Sequence, residues 1–171
     1  MDPLDLVKNV ARKNPVIENV TKSELRIYGM KLPALSLFIP VAFKSGRKPR
    51  SECITVGVTS DRFVFARTAH ESDHWVFPPE MLPTVEEYVK VIDSMLEGTT
   101  CELLTNKTLE ISGMIELMDN PKEIDEAITA FIHLVAGVLD SLYAAQDGDA
   151  SLMKATIQKY RGVKPGQPLP R

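Results

Sequence analysis

Residues 119–146, DNPKEIDEAITAFIHLVAGVLDSLYAAQ, are the longest uninterrupted periodic stretch of the chain and restrict most strongly what it can fold into. Asn120 is placed to cap a helix, Pro121 has the φ angle that a first helical position needs, and Glu123 holds the capping-box position. Glu123, Asp125 and Glu126 then set negative charge at the positive end of the helix dipole. Ile124, Ile128, Phe131, Val135, Val138, Leu139 and Leu142 recur at three- and four-residue spacing and make one apolar face. Ala130, Leu134, Gly137, Ser141 and Ala144 form a second row, where small side chains let another backbone come close. The polar stripe left over (Asp125, Thr129, His133, Asp140) is narrow. Such a rod is expected to be covered on two sides, by a sheet and by either the chain's own terminal helix or a second subunit. Its charged start and Asp140 interrupt the apolar run, so it reads as neither coiled coil nor membrane span.

The other segments supply the sheet. Asp2 caps a short helix that ends before Asn14-Pro15, because the residue ahead of a proline avoids the α region. Strands are expected at 23–28, 31–43, 53–59 and 63–67, the third alternating through Ile54, Val56 and Val58 and the fourth through Phe63 and Phe65. Pro33 and Pro40 would each remove a ladder hydrogen bond, which predicts an edge position or a bulge for the second strand. A helix over 85–96 with Thr84 and Glu87 as its capping box, a hairpin over 101–118, and a helix over 150–160 capped by Asp149 complete the order α-ββββ-α-ββ-α-α. Runs of strands without βαβ alternation imply an α+β fold, an antiparallel sheet with helices packed on one face. A length of 171 residues fits one domain over 1–161, followed by a flexible Pro/Gly-rich tail at 162–171.

A net charge of −3 argues against general nucleic-acid affinity, although a local patch can override the sum. The first residues, MDPLDLVKNVARK, contain no apolar core of a signal peptide, so a cytoplasmic location is expected and Cys53 and Cys101 read as reduced thiols, with a disulfide left open.

Three segments imitate chemistry. His70-Glu71-Ser72-Asp73-His74 matches the zinc-peptidase spacing, in which His70 and His74 one helical turn apart would bind metal and Glu71 would activate its water. The segment directly follows a strand, Pro78-Pro79 leaves little room for a helix, and Asp73 charges a face such enzymes bury, so it reads as a solvated connection, with a metal-dependent hydrolase as the alternative. The basic loop Lys44, Arg47, Lys48 and Arg50 could hold an anionic partner, which makes an accessory nucleic-acid binder the second alternative. No aromatic is interleaved with it, and a hairpin tip kept soluble by charge explains it. Asp147 to Ser151 begins like an EF-hand loop, but Leu152 and Gln158 stand where glycine and glutamate are required. No phosphate-binding or dinucleotide motif occurs, and no cofactor is expected. Trp75-Val76-Phe77 either plugs the edge of the core or offers a sticky patch.

The element order from residue 3 to about 146 resembles the fold of type III secretion chaperones and of a bacterial sensory-transduction regulator family of similar shape. The resemblance lies in the order of elements, assigns no individual residue, and implies a homodimer that holds client segments without catalysis. The expected function is therefore a non-catalytic protein-binding module, chaperone- or adaptor-like, whose partner is a client or a second copy. Its expected contact residues are Trp75, Phe77, Ala130, Gly137, Ser141 and Ala144.

Overall fold

Asp2 accepts a hydrogen bond from the Leu4 amide at 2.8 Å, and helix α1 (Pro3–Lys13) starts from that cap with Pro3 in its first turn. The structure, a computed structural model, describes residues 2–27, 29–43, 50–67, 74–95, 99–103 and 108–161. Strands β1 (Asn19–Ile27), β2 (Met30–Val41), β3 (Arg50–Val58) and β4 (Arg62–Arg67) follow α1. A 3-10 turn at Pro79–Met81 leads into helix α2 (Leu82–Met95), then come strands β5 (Thr99–Leu103) and β6 (Leu109–Glu116) and helices α3 (Pro121–Gln146) and α4 (Ser151–Tyr160). The fold is α+β, with a six-stranded antiparallel sheet in the order β1-β2-β3-β4-β6-β5. The tail at 162–171 lies outside the described residues.

The chain gathers into two compact units, Met1–Arg67 with Gly113–Ala136 and Thr68–Ser112 with Gly137–Arg171, and both β6 and α3 run from one into the other. In the first unit β2 pairs with β1 from Asn19↔Phe38 to Ile27↔Met30 and with β3 from Ala34↔Gly57 to Val41↔Arg50. The side chains alternate, so Leu35, Leu37 and Ile39 of β2, Ile54 and Val56 of β3, and Phe63 and Phe65 of β4 share one buried face. The first half of α3 packs on that face, with the rings of Phe65 and Phe131 5.6 Å apart. Leu25, Leu32, Ala34, Val64 and Ala66 form a smaller cluster on the opposite face. A side-chain carbon on Gly57 would come within 3.1 Å of Leu25 there, which explains a glycine in mid-strand.

Strand β2 is interior with an unbroken register on both sides, where its prolines predicted an edge position or a bulge. Pro33 lies opposite Glu24 of β1 and one residue past the last pair with β3, Ala34↔Gly57, and Pro40 lies opposite Ser51 of β3 and past the last pair with β1, Asn19↔Phe38. Each proline thus sits where β2 is paired on one side only. The missing N–H costs no ladder bond there.

In the second unit α2 begins at Leu82, three residues before the expected start. Pro83 is tolerated because a helix's first-turn amides have no partner within the helix, and Thr84 falls inside the first turn instead of capping it. Buried Val85, Tyr88 and Ile92 recur along one side of α2. Trp75 is 1% exposed, its ring 4.6 Å from Tyr143 and stacked on Phe77 at 6.3 Å. The amide of Val76 donates to Gln146 Oε1 at 3.2 Å and ties this loop to the end of α3. That end is closed by Gly148 at φ +93°, whose amide donates to Ala145 O while that of Asp149 reaches Ala144 O.

Helix α3 starts as expected, with Asn120 Oδ1 accepting from the Lys122 amide at 2.9 Å. An 18-residue window of it is apolar enough to cross a membrane by length and composition, and 56% of that window is buried inside the fold, as in a core helix. The row of small residues divides. Ser141 and Ala144 are buried, whereas Ala130 and Gly137 are exposed, and a side-chain carbon built on Gly137 meets nothing within 4 Å. Gly137→Ala is therefore expected to raise stability by about 0.5–1 kcal/mol, seen as a higher midpoint in urea, because alanine restricts the unfolded chain and clashes with nothing. A lower midpoint would mean that another surface packs against Gly137.

Candidate functional site

The last turns of α1 and the first turn of α3 enclose a half-open cleft of about 390 Å³, all within the first unit. Its position follows from local chemistry. Asn14, 8% exposed, ends α1 and turns its side chain in two directions. Its Nδ2 donates to Asp125 Oδ1 at 2.9 Å, and its Oδ1 accepts from the Val16 amide at 3.0 Å. One buried amide thus fixes the turn at Pro15 and pins the end of α1 to the second turn of α3.

Leu6, Val10, Pro15 and Pro121 give the cleft apolar walls, and Lys13 and Lys122 stand exposed at its rim. Asp125, held by Asn14, lines the same wall. The positive end of the α3 dipole opens at this mouth and, with the two rim ammonium groups, favours an anionic group. The cleft can accept one or two apolar side chains with a carboxylate beside them. A second cleft of about 350 Å³, in the second unit between α2 and α4, is more polar, and the exposed Arg161–Glu87 ion pair at 3.2 Å lies along it.

The residues singled out from the sequence do not converge on one place. Trp75 and Phe77 belong to the interior, and Val76 between them is 55% exposed. Ser141 is hydrogen-bonded with Tyr88 of α2, so the lower half of the small-residue row is occupied by the chain's own second helix. Lys44, Arg47 and Lys48 lie outside the described residues, and Arg50 is partly buried with its Nε 2.8 Å from Glu52 Oε1. His70, Glu71, Ser72 and Asp73 also lie outside them, and His74 is exposed at their border. Among the described residues no group of three His, Cys, Asp or Glu side chains could hold a metal ion.

Two buried polar clusters were missed. Glu52 and Arg67 have no exposed side-chain surface, and Arg67 Nε and an Arg67 terminal nitrogen each lie 3.3 Å from Glu52 Oε2. The signal was present, because Glu52 is in phase with Ile54 and Val56, and Arg67 is in phase with Phe63 and Phe65. In the second unit, burial drives the Tyr88 hydroxyl far above its ordinary range despite its bond with Ser141, and Asp140 and Cys101 add to the shift. Burial and the neighbouring Asp93 carboxylate likewise push the Cys101 thiol up to about 12, which keeps it protonated and non-nucleophilic at neutral pH. Cys53 and Cys101 are both free thiols. No family model, curated protein or solved structure matches the chain.

Proposed function

We propose that the chain is a non-catalytic protein-binding module, chaperone- or adaptor-like and homodimeric, that seats a client segment in the cleft between α1 and α3. The observation that carries this reading is the make-up of the cleft: apolar walls, two rim lysines and a helix N-terminus around a half-open space of about 390 Å³. Pockets that engulf a small molecule span roughly 300–1,000 Å³ and bury most of its surface. A half-open cleft at the low end of that range suits side chains of a passing segment better. The likeness in element order to secretion chaperones points the same way. The preferred segment carries a leucine- or phenylalanine-sized residue flanked by aspartate or glutamate.

A displayed peptide library panned on the purified chain tests this. Acidic-apolar peptides should be enriched, and Lys13→Glu combined with Lys122→Glu, both at exposed positions, should weaken their binding about tenfold or more by reversing the charge of the rim. Enrichment of no such peptide, or equal binding by the variant, would end the assignment of the cleft.

A further inference from the structure

Strand β1 lies at an open edge of the sheet, and six of its nine residues are exposed. Edge strands are commonly protected from pairing by prolines, bulges or short length. β1 has none of these: its register with β2 is unbroken from Asn19 to Ile27, and it contains no proline. It does carry charge. Lys22, Glu24 and Arg26 alternate on the side opposite buried Leu25.

The order of those charges is self-complementary. When two copies of a strand pair antiparallel about a two-fold axis normal to the sheet, opposed residues share a face, so the axis must pass through a residue. An axis at Ser23, the midpoint of β1, pairs all nine residues and sets Lys22 of each copy opposite Glu24 of the other. An axis at Lys22 or Glu24 opposes like charges, and one at Thr21 or Leu25 pairs only five residues of the strand. Lys22 makes no ion pair among the described residues, while Glu24 already meets Arg26 at 3.1 Å and Lys31 at 3.4 Å. Those contacts, the Arg26 hydrogen bond first, hold the Glu24 carboxyl below its usual range and keep it ionised.

We infer that two copies of this chain associate through β1, antiparallel about Ser23, with reciprocal Lys22–Glu24 pairs, to form a continuous twelve-stranded sheet. This rests on the self-association put forward above and is independent of the cleft. The same sequence running in reverse matches charges that would repel an arbitrary strand. That gives the edge a specific partner.

Light scattering on the purified full chain reads the outcome. The wild type should have twice the 19.0 kDa mass of one chain at micromolar concentration. Lys22→Glu or Glu24→Lys alone opposes like charges at both symmetric positions and should weaken the dimer about tenfold or more. The double exchange, K22E with E24K, restores the complement and should restore the dimer. Ser23→Cys should cross-link under mild oxidation, since opposed Cα atoms of an antiparallel pair lie about 4.5–5.5 Å apart, within disulfide range. A monomeric wild type, single exchanges that leave the mass unchanged, or a double exchange that stays monomeric would each overturn the inference. The peptide-binding test above is unaffected by any of these results.

Discussion

Glu52→Ala will destabilise the protein by about 3–5 kcal/mol, because it leaves the Arg67 guanidinium wholly buried without the carboxylate now against it. For a chain of this size that corresponds to a fall in Tm of about 6–20 °C. The mechanism is loss of charge compensation, so a second variant separates it from loss of packing. Glu52→Leu together with Arg67→Met removes both charges and keeps most of the volume. Replacements of that kind at buried ion pairs are often neutral or stabilising by about 1–4 kcal/mol. Arg50, whose side chain is 30% exposed, can turn to solvent when its carboxylate is gone. Chemical denaturation of the single and double variants checks the prediction. A double variant as unstable as Glu52→Ala would mean that the ion pair itself stabilises this end of β3 and β4.

Trp75→Ala is expected to cost about 3–5 kcal/mol, the range for deleting a large aromatic from a core. Trp75→Phe is expected to cost only about 1–2 kcal/mol, for a reason particular to this site. Among the described residues, Trp75 Nε1 is buried with no hydrogen-bond partner. A buried donor without an acceptor carries a penalty of about 1–3 kcal/mol, which phenylalanine removes and which offsets much of the cavity it leaves. The aromatic contacts with Phe77 and Tyr143 can be kept by the smaller ring. Urea denaturation of both variants reads the difference. Equal losses would show that the indole N–H has an acceptor in solution.

The main helix was legible nearly to the residue, because its signals are local. Asn120, Pro121 and a three-and-four-residue apolar rhythm depend only on the helix itself, and α3 runs from Pro121 to Gln146 as that rhythm predicts. Strand number and order were legible for the same reason. The position of β2 was not legible, because a proline bars pairing only at its own position and does not by itself require an edge or a bulge. What matters is whether each proline has a neighbour on the side its nitrogen faces, and the staggered pairing of β1 and β3 supplies that locally. The early start of α2 reflects the tolerance of a helix's first turn for proline, which a cap-centred reading underweights.

The cleft was not legible. Leu6, Val10 and Lys13 are separated from Pro121, Lys122 and Asp125 by more than a hundred positions, and what joins them is one buried amide, Asn14, reaching across to Asp125. An asparagine before a proline reads as a helix stop, and it is one. Its second role needs a partner that no spacing rule can name. The Glu52–Arg67 pair lay between these cases, because strand phase put both residues on the apolar face but could not say that they meet.

By itself the sequence determined which segments become helix or strand and which of their sides turn inward, since caps, turns and apolar periodicity act over a few residues. Tertiary structure alone decided that Ser141 and Ala144 are enclosed while Ala130 and Gly137 on the same row stay open, and that Trp75 lies inside the fold. The reason is physical. A helix face is only an offer of apolar surface, and whether it is taken up depends on which distant element the chain brings against it.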